Sequence, residues 1–182
     1  MNLPNRLSLI RIASVPVLTL LMVFDGVAWT RYVALFGFIA AAITDFADGH
    51  IARKYNLVTN FGKFIDPVAD KMLMLSAMIM LSWHGLLPAW MVVTVLFREL
   101  AVDGLRMVAV EQGRVIAAGK LGKIKTTCQI TMVITHLVAY AHFPLLHILA
   151  GWLMLPTQLV MLAMTIWSGV DYFLKNKEVL HG

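Results

Sequence analysis

Cysteine is nearly absent: Cys128 stands alone in a chain of 182 residues. One thiol closes no disulfide within the chain and builds no Cys-rich metal site, so neither can hold this fold together. Charge is also scarce. Charged residues make up 14% of the sequence and hydrophobic ones 60%, with a mean hydropathy of +0.80. Soluble domains carry roughly a quarter charged residues and about half apolar ones, so this composition points to a membrane. Internal repeats and low-complexity tracts are missing, as is any polar stretch long enough for a soluble domain. The expectation is one membrane-embedded domain over residues 1–182.

What is present is a series of apolar runs of spanning length. The first, from Ile12 to Phe24, follows Arg6 and Arg11 as a signal peptide would, but more spans follow, so an uncleaved first helix is the simpler account. Asn5, Ser8 and Arg11 are spaced for an interfacial lead-in. Asp25 and Gly26 make a turn, and further spans are expected near Arg31–Lys54, Phe61–Trp83, Ala89–Glu111, Lys123–His142 and Leu146–Leu174. His84, Gly85 and Pro88 close the third, and Pro156 marks a kink or a late start in the sixth. The fold class predicted is an all-α bundle of six transmembrane helices.

The net charge of +5 and pI near 9.6 point to lipid rather than nucleic acid because of where the charges fall. Arg6, Arg11, Arg53, Lys54, Lys63, Arg114, Lys120, Lys123, Lys125, Lys175 and Lys177 fall on one side of the membrane, and only Arg31 on the other. By the positive-inside rule both termini face the cytoplasm. His84, His142 and His147 fall on the far side without a metal-ligand spacing, as core or surface histidines do.

Against this apolar background, Thr44 to Lys71 carries Asp45, Asp48, Asp66 and Asp70. A charge near a bilayer centre costs roughly 2.5 to 3.5 kcal/mol, so four carboxylates read as a functional site. Asp45 and Asp48 are three apart, Asp66 and Asp70 four apart, and each interval keeps both side chains on one helix face. A polar turn near Val58, with Asn56, Asn60 and Gly62 around it, would bring the two pairs to similar depth in a cytoplasm-facing polar cavity. Four converging carboxylates need protons or a divalent cation, and an all-oxygen set favours Mg²⁺ or Mn²⁺ over zinc, with ligands enough for two ions. Reading them as solvated helix-end charges leaves the paired spacing unexplained. The fourth span adds RELAVDGLR, in which Arg98 and Arg106 share a face and Glu99 and Asp103 form an i,i+4 pair. Ion pairing inside the bundle is the alternative to a ligand role for these two acids.

Asp45, Asp48, Gly49, Ala52, Arg53, Gly62, Asp66 and Asp70 together resemble, without a gap, the signature of the CDP-alcohol phosphotransferases, integral-membrane enzymes of phospholipid synthesis. Pro4, Asn5, Ser8 and Arg11 look like the element that precedes the first span in that family. The resemblance implies that Asp45, Asp48 and Asp66 hold metal, and that Asp70 both contributes to the second metal and acts as base. It implies a CDP-linked lipid donor, CDP-diacylglycerol, against Asn5, Gly49, Ala52, Arg53 and Thr59, with CMP as the leaving group, and pairing of the chain as a homodimer. Arg98, Arg106, Lys123 and Lys125 offer positive charge to an anionic acceptor. FGKFIDPVADK, the Arg98–Glu99 step and GKIKTTCQ resemble the branch that makes phosphatidylglycerophosphate, which implies sn-glycerol 3-phosphate as acceptor. Inositol phosphate or a lipid alcohol is the alternative acceptor, and an ion-coupled transporter the alternative class.

Overall fold

The computed structural model describes residues 3–24, 26–54, 59–117 and 119–180, with the side chains of residues 3–4, 45–54, 60 and 63 outside the described set. The described residues form six α-helices and a closing 3-10 turn, with no strand among them. In order these are α1 Leu3–Val23, α2 Ala28–Lys54, α3 Asn60–Trp83, α4 Ala89–Glu111, α5 Lys120–Tyr140, α6 Leu146–Lys175 and the turn Lys177–Leu180.

Four helices begin earlier than their apolar runs, α3 by a single residue. α1 takes in the whole lead-in from Leu3, and α2 and α5 each start three residues upstream of the predicted span. Hydropathy marks the part of a helix that faces apolar surroundings, whereas backbone hydrogen bonding continues to the nearest cap. For α5 that cap is Gly119, extended at φ −70 and ψ 161. Pro156 neither delays nor breaks α6. The hydroxyl of Thr157 donates to the carbonyls of Leu153 (2.7 Å) and Met154 (3.0 Å), in the turn just ahead of the proline. The turn after α3 closes as expected: His84 N–H donates to Met80 O (3.1 Å), Leu86 N–H to Leu81 O (2.9 Å), and Gly85 takes the left-handed φ of 72 that the reversal requires.

α1 packs on both α2 and α3, α5 on α6, and α4 bridges α6 and α3. Leu35 and Phe38 of α2, Met78 and Leu81 of α3, Met132 and Leu137 of α5, and Met161 of α6 form the main apolar core. Val102, Leu105 and Ala109 of α4 form a smaller cluster with Tyr172 and Val179. Along α4, from Val95 to Arg106, the helices part around a cavity of about 380 Å³.

The outer surface is apolar and the interior holds the polar groups. Ile79, Val93, Met107, Trp152, Leu155 and Ile166 are exposed, whereas Arg11, Lys125, Gln129 and His136 are buried. That inversion belongs to a protein surrounded by lipid. α1 from Asn5 to Val23 and the whole of α6 are each long and apolar enough to cross a bilayer, with hydropathies of 1.7 and 1.6. Among the histidines, the ring of His84 meets the Met22 carbonyl at 2.9 Å and packs on Tyr140, tying the end of α3 to the end of α1. His142 and His147 stack edge to face at 6.1 Å.

Candidate active site

The first turns of α1 build one wall of the site. Asn5, Ser8 and Arg11 are 6%, 2% and 2% exposed, and each meets a polar partner at the start of α3 or just before it. Asn5 Nδ2 donates to Thr59 Oγ1 (3.0 Å), Ser8 Oγ to Asp66 Oδ1 (2.5 Å), and Arg11 Nη1 to Asp70 Oδ1 (2.9 Å). These residues therefore face the bundle and not the membrane interface. A guanidinium and two small polar groups in an apolar chain are stabilised where hydrogen-bond partners wait, and α3 supplies all three.

Thr59 also starts α3. It is extended at φ −109 and ψ 159, and its hydroxyl accepts from the Gly62 N–H at 2.9 Å, the N-cap bond that satisfies one of the orphan amides of a helix start. Gly62 is held to glycine by this junction. A Cβ there would stand 2.9 Å from Asn5 Oδ1 and 3.2 Å from Thr59 Oγ1. Gly62→Ala is expected to push Asn5 and Thr59 apart and destabilise the protein by about 1–3 kcal/mol, the usual range for overpacking. A thermal melt of the purified variant in detergent measures this, and an unchanged midpoint would show that the junction gives way freely.

Asp66 and Asp70 both line the cavity. The Asp70 side chain is 48% exposed although its partner Arg11 is 2% exposed, so the arginine anchors the carboxylate from the protein side while the acid meets the open space. Asp45, Asp48, Gly49, Ala52 and Arg53 lie on the last turns of α2, within the helix but with side chains outside the described residues. The helix ends do fix their level along the chain. Asp48 is six residues before Lys54 and Asp66 six after Asn60 (54 − 48 and 66 − 60), about 9 Å along each helix axis.

Basic residues line the cavity as well. Arg98 and Arg106 of α4 line the same cavity as Asp66 and Asp70, together with Lys123 and Lys125 of α5. Glu99 bonds both Lys125 and, at 3.2 Å, Arg98, which also donates to Ser168 Oγ at 3.3 Å. Asp103 bonds Lys71. Glu99 and Asp103 thus each carry an ion pair between helices, which tethers α4 to α5 and to α3. Arg106 is held differently: its Nε donates to the Tyr172 hydroxyl at 2.9 Å and its guanidinium lies 5.4 Å from the ring centre.

Sequence reasoning missed Lys71, Gln129, Ser168 and Tyr172, all of which line the cavity. Lys71 had a signal, a cation immediately after Asp70 within an apolar helix. Ser168 and Tyr172 lie on a strongly apolar helix beside Asp171, a carboxylate that lines the cavity too.

Among the described residues no three ligating side chains form a metal cluster. Asp66 and Asp70 supply only oxygen donors on one face, beside a cavity, and that chemistry fits a hard divalent cation.

A model of the CDP-alcohol phosphatidyltransferase family matches residues 1–167. The chain is similar to a CDP-diacylglycerol–glycerol-3-phosphate 3-phosphatidyltransferase of Bacillus subtilis (strain 168), at 43% identity over 98% of this chain and 97% of the relative. It is 34% identical to the protein of that name in Escherichia coli (strain K12), over 94% and 92% of the two chains. A probable phosphatidylglycerophosphate synthase of Mycobacterium tuberculosis (strain ATCC 25618 / H37Rv) is 43% identical over 94% of this chain and 79% of its own. The match spans the acidic start of α3, the basic face of α4 and the polar turns of α1 alike, and the chain belongs to the CDP-alcohol phosphatidyltransferase family.

Proposed function

We propose that this chain transfers the phosphatidyl group of CDP-diacylglycerol to sn-glycerol 3-phosphate, giving phosphatidylglycerophosphate and CMP. The carrying observation is that one cavity is lined both by Asp66 and Asp70 of α3 and by Arg98, Arg106, Lys123 and Lys125 of α4 and α5. A reaction between an activated diphosphate and an anionic alcohol needs carboxylates for a cation and positive charge for the acceptor within reach of each other. The names of the relatives in Bacillus subtilis and Escherichia coli agree with it.

Divalent cations, Mg²⁺ or Mn²⁺ and by ligand count two, would be held by Asp45, Asp48, Asp66 and Asp70 and would neutralise charge on the diphosphate as the leaving phosphate departs. Arg53 grips a donor phosphate with its planar fork, and Asn5, Gly49, Ala52 and Thr59 border the cytidine. Arg98, Arg106, Lys123 and Lys125 hold the acceptor's phosphate, turning a free hydroxyl toward the donor. Asp70 takes the hydroxyl proton as the oxygen attacks the phosphorus that bears diacylglycerol, and the bond to CMP breaks. Its half-open position suits that role, since a base must reach the substrate.

The single domain lies in the inner, cytoplasmic membrane as six spans, with termini and cavity on the cytoplasmic side. Trp29, Trp83, Trp90 and Trp152, all exposed, stand at the ends of α2, α3 and α4 and near the start of α6 that are remote from the cavity, where an aromatic belt would mark the far interface. The test is CMP release from CDP-diacylglycerol by purified protein with a divalent cation and each candidate alcohol in turn. Turnover is expected with sn-glycerol 3-phosphate. Turnover with inositol phosphate or a lipid alcohol and none with glycerol phosphate would overturn the assignment.

A further inference from the structure

Arg106 makes no ion pair with a carboxylate among the described residues, whereas Arg98, Lys125 and Lys71 each do. Its side-chain hydrogen-bond partner among the described residues is a neutral group. That group is Tyr172, whose hydroxyl accepts from Arg106 Nε while the ring underlies the guanidinium, and which leaves both terminal nitrogens of the fork directed elsewhere.

Tyr172 is itself clamped from behind. The turn Lys177–Leu180 belongs to a polar tail, yet its Val179 is 5% exposed and packs with Val102, Leu105, Ala109 and Tyr172. Gln112, at the end of α4, donates to the Val179 carbonyl at 2.9 Å, and Asn176 donates to the Tyr172 carbonyl at 2.7 Å. The tail therefore crosses from α6 back to α4 and closes over the outer side of the tyrosine.

We infer that this closing turn is a strap that sets the position of Arg106 through Tyr172 and thereby tunes affinity for the phosphate of the acceptor. The inference rests on the acceptor-site reading given above. Tyr172 and Val179 are positioning residues in it, since neither needs to touch substrate. A phenol is suited to this work: it orients the guanidinium without adding a negative charge beside it.

The experiment uses the full-length protein, saturating CDP-diacylglycerol and varied sn-glycerol 3-phosphate, with CMP release as readout. Tyr172→Phe removes the hydroxyl and keeps the ring, and Val179→Asp lifts the strap. Both are expected to raise the acceptor KM roughly five- to tenfold, the scale of one ordinary hydrogen bond lost at a residue that acts indirectly, with kcat and the donor KM within about twofold. The exposed Lys177→Ala is expected to behave as the parent, and Val179→Asp is expected to add nothing in an Arg106→Ala background. If Arg106→Ala raises the acceptor KM while Tyr172→Phe and Val179→Asp do not, the strap is refuted and the acceptor site stands. If Arg106→Ala leaves that KM unmoved, the acceptor-site reading falls and the strap with it. A loss of kcat with both KM values moving together would show that the tail only supports the fold, and would also overturn the inference.

Discussion

Asp70→Asn is expected to lower CMP release by about a thousandfold, within the range a positioned general base supplies, while nucleotide binding stays measurable. The substitution is nearly isosteric, and an amide oxygen still accepts from Arg11 Nη1, so the tie between α1 and α3 at that level survives. What goes is the carboxylate charge, and with it both roles proposed for Asp70, proton acceptor and anionic ligand. Asp45→Asn, at a position read as a metal ligand without a base role, is expected to weaken cation and nucleotide binding together. Titration of both variants with a CDP-linked lipid, with and without Mn²⁺, separates the two. Equal loss of binding in both would remove the argument for a distinct base at Asp70 and make all four aspartates plain ligands.

The distinction matters because the two acids of α3 have different second partners. Ser8, a neutral hydroxyl, donates to Asp66, and Arg11, a full cation, donates to Asp70. Asp70 is thus pinned from the protein side while about half of its side chain stays open toward the cavity.

How much of this was legible in the sequence depended on whether a signal was local. The i,i+4 spacing of Asp66 and Asp70 put both on one face before any coordinates, and that face lines the cavity. The same spacing logic put Asn5, Ser8 and Arg11 together on α1, but which surroundings they face is a tertiary fact. The apolar run after them suggested a membrane interface, and α3 turned out to be their partner. Thr59 carried a local signal that went unused, a threonine just ahead of a helix start, and it is the N-cap of α3. Glu99 and Asp103 were legible as a pair on one helix, but their lysines come from α5 and α3, far away in sequence, and no periodicity links them. Tyr172 was missed, since one tyrosine in an apolar helix reads as core.

Lys125→Met carries the second large effect, on stability and acceptor use at once. Lys125 is 4% and Glu99 15% exposed, so their bond joins α5 to α4 with little solvent at hand. Removing one partner of a buried pair typically costs about 3–5 kcal/mol, because the other charge stays behind uncompensated. Arg98, 3.2 Å from the same carboxylate, softens that penalty but must turn from its place on the cavity wall to do so. The expectation is a clear fall in thermal midpoint in detergent, with a rise in the acceptor KM and little change in the donor KM. Adding Glu99→Gln to Lys125→Met removes the stranded charge, so the double variant is expected to regain most of the midpoint and none of the acceptor affinity. That split is what identifies a lysine with two jobs, one toward Glu99 and one toward substrate. Should the double variant regain acceptor affinity as well, Lys125 would serve only to neutralise Glu99, and the positive wall would have to act through Arg98, Arg106 and Lys123 alone.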